Sequence, residues 1–197
     1  MSNFARLWMI ATSLLVPAAA LAGEGVVVGS RAPDFELADQ AGATVRLQDL
    51  AGKVVVLEWV NPDCPFVKRH AAAGTMRDLA ARYGARGVVW LGVNSTSYMT
   101  ADDSAKFLSA NSLTYPILVD RSGEVGRAYG ARTTPHLFVI DARGNIAYQG
   151  AIDDDPRGKK GGEVVNYVAQ ALDELLAGRP VAVSETTPYG CSVKYSG

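Results

Sequence analysis

Residues 54–68 read VVVLEWVNPDCPFVK, and this stretch decides the fold of the chain. Its first half, residues 54–60, is an apolar, largely β-branched run of the kind that forms a buried strand. Pro62 and Asp63 end that run, and a helical pattern begins directly after them. The stretch therefore predicts a buried strand, a turn and the start of a helix.

Cys64 stands at or next to the N-cap of the predicted helix. Pro65 suits the first helical position, because the N–H that proline lacks would have no helical partner there. The positive end of the helix dipole and the nearby Lys68 both favour a thiolate at Cys64. Since the thiolate is the form that attacks disulfides or peroxides, Cys64 is a candidate nucleophile. The alternatives are an inert buried cysteine or one half of a structural disulfide.

The beginning of the chain, residues 1–22, is typical of a secretory signal peptide. Arg6 precedes a mostly apolar stretch, residues 7–19, which is too short to span a bilayer. Ala20-Leu21-Ala22 then supplies the small-x-small pattern of a cleavage site. We therefore expect a mature protein that begins near Gly23 and is periplasmic or otherwise exported, with no stable membrane insertion after cleavage. An uncleaved membrane anchor is the alternative, and it would need a longer apolar core.

Composition narrows the class of protein. The 197 residues include 19 Lys and Arg and 20 Asp and Glu, for a formal net charge of −1, so nothing marks nucleic acid or an anionic membrane as a partner. The length predicts one domain, residues 23–180, followed by a C-terminal tail, residues 181–197. With only two cysteines, Cys64 and Cys191, the chain is not a disulfide scaffold of the small secreted kind.

Strand and helix patterns alternate along the chain and predict an α/β fold. The apolar run at 88–94 follows the predicted helix at 64–83, and the order strand, helix, strand requires a parallel crossover. The other predicted elements are an early hairpin around the turn at 39–43, a helix at 100–111, a strand at 115–120, a short helix at 124–129, a hairpin at 136–151, a helix at 163–176 and an irregular tail.

Several motifs point to one superfamily: APDFEL at 32–37, GKVVVLEW at 52–59, NPDCPF at 61–66 and RTTPHLFVID at 132–141. Together they resemble the redoxin branch of the thioredoxin fold, which includes peroxiredoxins and periplasmic thiol-disulfide oxidoreductases. With GAIDD at 150–154 and PYGCSVKY at 188–195, the chain is similar to exported peroxiredoxin-like proteins with AhpC/TSA-type domains. The resemblance implies a thioredoxin-like α/β fold: a mixed central sheet, flanking helices and an N-terminal β-hairpin extension.

The resemblance places Cys64 at the first cysteine of the thioredoxin Cys-x-x-Cys motif. Val67 occupies the second position, so the local dithiol of that family cannot form. Peroxiredoxins carry their peroxidatic cysteine at the second position and a threonine three residues earlier, where this chain has Cys64 itself. We therefore expect Cys64 to react slowly with hydrogen peroxide and faster with disulfides.

Other site residues follow from the same resemblance. Glu58 matches the buried acid of thioredoxin and would shuttle a proton beneath the sulfur; the alternative is a glutamate that reaches solvent at the strand end. Thr134 and Pro135 match the cis-proline segment, whose preceding backbone pairs with substrate, and Pro65 is expected beside it. His136 is open to four roles: a base, a substrate contact, a metal ligand or a hydrogen-bonded strand histidine.

Two polar features outside this group have simpler interpretations. His70 lies six residues after Cys64, which turns it to another face of the helix, so we expect a surface or packing role. The acidic run at 153–155 predicts a solvated loop with helix-capping duty, with a cation site as the alternative.

Cys191 lies in an otherwise polar tail, which is poor material for burying an inert thiol. One interpretation is a remote resolving cysteine that replaces the one missing at Val67. The other is a permanent disulfide between the tail and Cys64, which would stabilise the fold by closing a long loop.

The sequence thus favours an exported thiol oxidoreductase with Cys64, Cys191 and Glu58 as catalytic residues and no cofactor. Its expected partners are a disulfide or hydroperoxide substrate and a thioredoxin-like reductant. One alternative is a copper-binding module similar to Sco-type chaperones, with Cys64, His136 and Cys191 as ligands. Another is a non-catalytic binding domain with a structural disulfide.

Overall fold

A computed structural model describes residues 25–196 of the chain. The predicted signal peptide, residues 1–22, lies outside the described residues. The strands are β1 Glu36–Ala38, β2 Thr44–Arg46, β3 Val55–Trp59, β4 Val89–Asn94, β5 Ile117–Val119, β6 Thr133–Thr134, β7 His136–Ile140, β8 Ile146–Gly150 and β9 Cys191–Ser192. The helices are α1 Pro65–Ala72, α2 Thr75–Gly84, α3 Ala101–Ala110, α4 Glu124–Tyr129 and α5 Tyr167–Leu176, and a 3-10 turn covers Leu47–Leu50.

The central sheet has five strands in the order β5-β4-β3-β7-β8. Strands β3, β4 and β5 are parallel to one another, whereas β7 runs antiparallel to both β3 and β8. The predicted parallel crossover and the predicted C-terminal hairpin are therefore confirmed. The early hairpin is confirmed as well, because β1 and β2 form a separate antiparallel pair ahead of the main sheet. This is the predicted thioredoxin-like α/β fold.

Strand β3 lies at the centre of the sheet and is buried on both faces. Leu57 and Trp59 pack into a core formed with the N-terminal segment and α4. Val56 points the other way, into a core formed with α2 and α5. Because both faces are covered, this strand is apolar at every position except Glu58 instead of alternating with polar residues.

The predicted helix over 64–83 is wrong in one respect, since the structure has two helices there. Gly74 separates them with a φ of 72°, in the left-handed region that glycine adopts without a steric penalty. The last predicted helix begins later than the pattern indicated, at Tyr167 rather than Glu163, because the Asn166 side chain accepts the hydrogen bond from Ala169 N–H that caps it.

The tail corrects a second expectation, that it would be irregular. Residues Cys191–Ser192 form β9 and pair antiparallel with β6, in the register Thr133 to Ser192 and Thr134 to Cys191. An isolated two-residue strand has no sequence signature, because its pairing comes from a distant part of the chain. The tail therefore returns to the end of the sheet where Cys64 lies.

None of the helices between residues 25 and 196 combines the length and the apolar character needed to cross a membrane.

Candidate active site

Cys64 is positioned by the turn that joins β3 to α1. The Asn61 side chain accepts a hydrogen bond from Asp63 N–H at 2.8 Å, and Asn61 O accepts one from Cys64 N–H at 3.0 Å. Cys64 is the N-cap of α1 with Pro65 at the first turn, as predicted, and only 2% of the cysteine is exposed. The turn thus fixes the sulfur at the positive end of a helix, where a negative charge is stabilised.

Thr134 lies against the sulfur from the other side. The Cys64 thiol donates a hydrogen bond to Thr134 O at 2.9 Å. The peptide bond between Thr134 and Pro135 is cis, which confirms the expectation taken from the threonine-threonine-proline motif. The structure therefore brings together Cys64 and the residue before the cis-proline.

Cys191 joins this pair through β9. Its ladder position opposite Thr134 places it in the same small apolar cluster as Cys64, Val60 and Val67. Both cysteines are free thiols, with Cys64 buried and Cys191 partly exposed. The sequence suggested a link between the two cysteines, and the structure brings them into contact without a bond.

The surroundings give the two thiols different acidities. Burial raises the pKa of Cys64, but its hydrogen bonds with Cys191, Thr134 and Val67 N–H outweigh burial and lower the pKa below its ordinary value of 9.0. Burial and the neighbouring Cys64 raise the pKa of Cys191 to about 11. Cys64 is thus the more acidic thiol of the pair, and Cys191 keeps its proton to a higher pH.

Lys68 does not stabilise a thiolate at Cys64 in the way that the sequence suggested. Its Nζ lies 4.0 Å from Asp63 Oδ1 on the surface, and both side chains are more than half exposed. An exposed pair of this kind is screened by water and has little effect on a buried sulfur. The end of the helix, the Cys191 thiol and the Val67 N–H stabilise a charge at Cys64 in place of the predicted lysine.

Glu58 is buried on the face of β3 that points toward α2 and α5, with 2% of the residue exposed. Its Oε2 accepts hydrogen bonds from Trp90 Nε1 at 3.1 Å and from Tyr115 OH at 2.8 Å. Burial raises the pKa of Glu58 from 4.5 to about 7, although those two hydrogen bonds oppose the shift. The alternative of a solvent-exposed glutamate is wrong, but among the described residues the carboxyl is bonded to Trp90 and Tyr115 and not to Cys64.

Glu58 predicts a specific pH dependence of stability. Its folded-state pKa is raised, so the folded protein holds the proton more tightly than the unfolded chain, and stability falls as the pH rises from about 4.5 to about 7. Glu58→Gln, which resembles the protonated acid, should remove this part of the fall. Thermal unfolding of both proteins between pH 4 and pH 8 would measure it, and parallel stability curves for the two would contradict the assignment.

His136 lies at the start of β7 and is almost fully buried, with 2% exposed. Its Nδ1 accepts a hydrogen bond from Arg132 N–H at 3.3 Å, and its ring lies 4.4 Å from the Phe138 ring. Burial lowers the pKa of His136 to about 3, so the imidazole is neutral at physiological pH. Of the four roles open to it, this geometry fits the hydrogen-bonded strand histidine.

The copper alternative required Cys64, His136 and Cys191 to act together. Across residues 25–196, no group of three or more histidine, cysteine or acidic side chains is arranged to hold a metal ion. Cys64 and Cys191 lie next to each other, but His136 does not form a set of metal ligands with them.

Tyr189 is a site residue that the sequence interpretation missed. Its hydroxyl donates to Asp153 Oδ1 and lies 3.0 Å from His70 Nε2, while Arg69 Nη2 is 3.4 Å away. We call Arg69, His70, Asp153 and Tyr189 the Tyr189 cluster. His70 is buried, which fits the packing role and not the surface role, and Asp153 is buried rather than solvated. The sequence feature that could have identified Tyr189 is its position two residues before Cys191.

The fold and the paired thiols define the class: a thioredoxin-fold thiol oxidoreductase. The family model described as "AhpC/TSA family" matches residues 28–149, so the chain belongs to the AhpC/TSA family. The chain is 37% identical over 121 residues to "Thiol-disulfide oxidoreductase ResA" of Geobacillus thermodenitrificans, an alignment that covers 61% of this chain and 67% of that protein.

Solved structures extend the comparison over a larger share of the chain. An uncharacterized conserved protein from Geobacillus kaustophilus has a TM-score of 0.80 and 30% identity, covering 92% of this chain and 98% of that one. A putative thiol:disulfide interchange protein DsbE from Chlorobium tepidum has a TM-score of 0.57 and 30% identity, covering 64% and 85%. These likenesses agree with the family and with thiol-based oxidoreductase activity.

Proposed function

We propose that this protein is an exported thiol-disulfide oxidoreductase in which Cys64 attacks a substrate disulfide and Cys191 resolves the product. The observation that carries the proposal is the pairing of Cys191 with Thr134, because it sets the second thiol against the first. The names of the ResA and DsbE relatives, which refer to thiol-disulfide chemistry, support it.

The first step is nucleophilic attack by the Cys64 thiolate. Its sulfur forms a bond to one sulfur of the substrate, and the substrate's own S–S bond breaks. The departing thiolate takes a proton from solvent, which leaves a mixed disulfide on Cys64. The lowered pKa of Cys64 raises the fraction of thiolate available for this attack at any given pH.

In the second step Cys191 gives up its proton to solvent, which is easier once the Cys64 sulfur is in a disulfide and no longer raises the Cys191 pKa by its charge. The Cys191 thiolate then attacks the Cys64 sulfur of the mixed disulfide. A bond between the two cysteines forms, the bond to the substrate breaks, and the substrate leaves as a second thiol. The substrate disulfide gains two electrons and the cysteine pair loses two. A thioredoxin-like reductant then returns the pair to the dithiol form by the reverse exchange.

Access to Cys64 requires the tail to move, because the cysteine is almost fully buried in the reduced protein. Only two residue pairs join β9 to β6, so opening this ladder frees both the sulfur and the backbone of Thr134. A substrate segment could then pair with Thr134 in place of the tail. Pro65, which is exposed and lines an open groove with Phe66 and Arg69, would contact the same substrate.

The same contacts argue against a purely structural disulfide. The tail is held by Tyr189 on one side of Cys191 and by Tyr195 OH, which donates to Ala131 O at 2.7 Å, on the other. These hydrogen bonds hold the tail on both sides of Cys191 independently of any covalent link.

Export and domain boundaries form part of the proposal. Residues 1–22 would direct the chain out of the cytoplasm, residues 23–180 would form the redoxin domain, and residues 181–197 would form the tail. Intact-mass analysis of protein recovered from a periplasmic fraction should give a chain that begins near Gly23. Retention of residues 1–22 would contradict the signal.

The choice of oxidant is tested by stopped-flow kinetics. The reduced protein should react faster with a small disulfide than with hydrogen peroxide, because Cys64 occupies the position of the peroxiredoxin threonine. The disulfide rate should rise through a midpoint below pH 9.0, the ordinary thiol pKa, because the pKa of Cys64 is lowered. A faster reaction with peroxide would instead indicate a sulfenic acid at Cys64, which Cys191 condenses to a disulfide.

A further inference from the structure

Tyr189 is held by groups from two separate parts of the fold. Arg69 and His70 come from α1, whose N-cap is Cys64, and Asp153 comes from the loop after β8. Burial and Asp153 raise the pKa of Tyr189, so the hydroxyl stays protonated and donates to the carboxylate. A hydrogen bond to a charged group is stronger than one between neutral groups.

The partners of Tyr189 are themselves fixed. Arg69 Nη1 donates to Asp155 O at 3.0 Å and its Nη2 donates to His70 Nε2 at 3.0 Å. Asp153 Oδ1 also accepts from Asp155 N–H at 3.0 Å. Burial lowers the pKa of His70 and Arg69 adds to this effect, while Asp153 and Asp155 oppose it. The Asp153 carboxyl is therefore held in place, as the acceptor for the Tyr189 hydroxyl, by a contact that does not involve the tyrosine.

The chain between Tyr189 and Cys191 has very little freedom. Gly190 has a φ of 143°, and a Cβ placed there would lie 2.1 Å from Thr134 O, so only glycine allows the tail to pass so close. After Cys191, Val193 N–H donates to Arg132 O at 3.0 Å. The position of the Tyr189 ring therefore fixes where the Cys191 sulfur lies.

From this arrangement we propose that Tyr189, held by Asp153 and Arg69, is a positioning residue for the resolving step. The inference rests on the proposed function, because it assumes that Cys191 attacks the mixed disulfide on Cys64. A ladder of two residue pairs is too short to keep the tail docked alone. Tyr195 and Val193 hold the tail after Cys191, and the Tyr189 cluster holds it before Cys191. It keeps the second thiol close to the first after the substrate has reacted.

Tyr189→Phe tests the proposal, because it keeps the ring and removes only the hydroxyl. Loss of a hydrogen bond to a carboxylate should slow formation of the Cys64–Cys191 disulfide by about tenfold. The attack of Cys64 on an external disulfide should be unchanged or faster, because the tail leaves the sulfur more readily. Rapid acid quench followed by intact-mass analysis separates the two steps.

Tyr98→Phe is the matched control, since it removes the same group from a residue that is 57% exposed. Its hydroxyl makes no hydrogen bond to any described residue, so both steps should keep the wild-type rates. Asp153→Asn, which removes the charge but not the volume, should slow resolution in the same direction as Tyr189→Phe. Thermal unfolding of the variants confirms that the fold is retained.

The results distinguish this inference from the proposed function. Resolution at the wild-type rate in Tyr189→Phe, or an equal fall in both steps, would overturn the positioning role. If Cys191→Ser leaves turnover unchanged, the resolving role itself is wrong. If Cys191→Ser stops resolution while Tyr189→Phe does not slow it, the proposed function stands and the positioning role fails.

Discussion

Cys64→Ser is expected to lower the rate of disulfide exchange by about a thousandfold or more, the scale seen when an enzyme loses its nucleophile. A serine hydroxyl ionises far less readily than a thiol, and the pKa of the Cys64 thiol is lowered further by its surroundings. The first step should therefore disappear, and no mixed disulfide should form.

The measurement is reduction of a small disulfide by the pre-reduced protein, followed by release of the thiol. Cys191→Ser is the control, because it removes a cysteine yet should keep the first step. Wild-type rates for Cys64→Ser would assign the nucleophile elsewhere and leave only the binding alternatives for this site.

Cys191→Ser is expected to stop the reaction at the mixed disulfide on Cys64, and to lower turnover by about a hundredfold or more. The loss reflects the replacement of an attack within the molecule by an attack from a thiol in solution. Intact-mass analysis should show protein carrying one half of the substrate disulfide. The adduct should disappear on addition of a strong reductant.

A structural disulfide predicts a different pattern for the same variant. The loss of Cys191 would then lower the melting temperature, and mild reductant would leave the wild-type bond intact. Turnover that persists while the melting temperature falls would favour this interpretation over the resolving role.

The stretch at residues 54–68 was enough to predict the centre of the fold. A buried and mostly apolar strand, a Pro-Asp turn and a proline in the first helical turn each have a local physical cause, and the structure shows all three. The break at Gly74 was not predicted, because a glycine within a helical pattern is tolerated in many helices.

The site was predictable only where local sequence or a family motif carried it. The location of Cys64 and the cis peptide at Thr134 followed from such motifs. The pairing of Cys191 with Thr134 did not, since it joins two short strands that are far apart in the chain. The cluster around Tyr189 was missed for a related reason: burial of His70 and Asp153 depends on the docked tail.

The account is tested most directly by identifying the linkage formed in a single turnover. Reduced wild-type protein is mixed with less than one equivalent of a small disulfide, quenched with acid and digested for peptide mapping. We predict one disulfide that joins Cys64 to Cys191, together with release of both halves of the substrate as thiols. Free thiols at both positions, or a stable substrate adduct on Cys64 with Cys191 still reduced, would contradict the account.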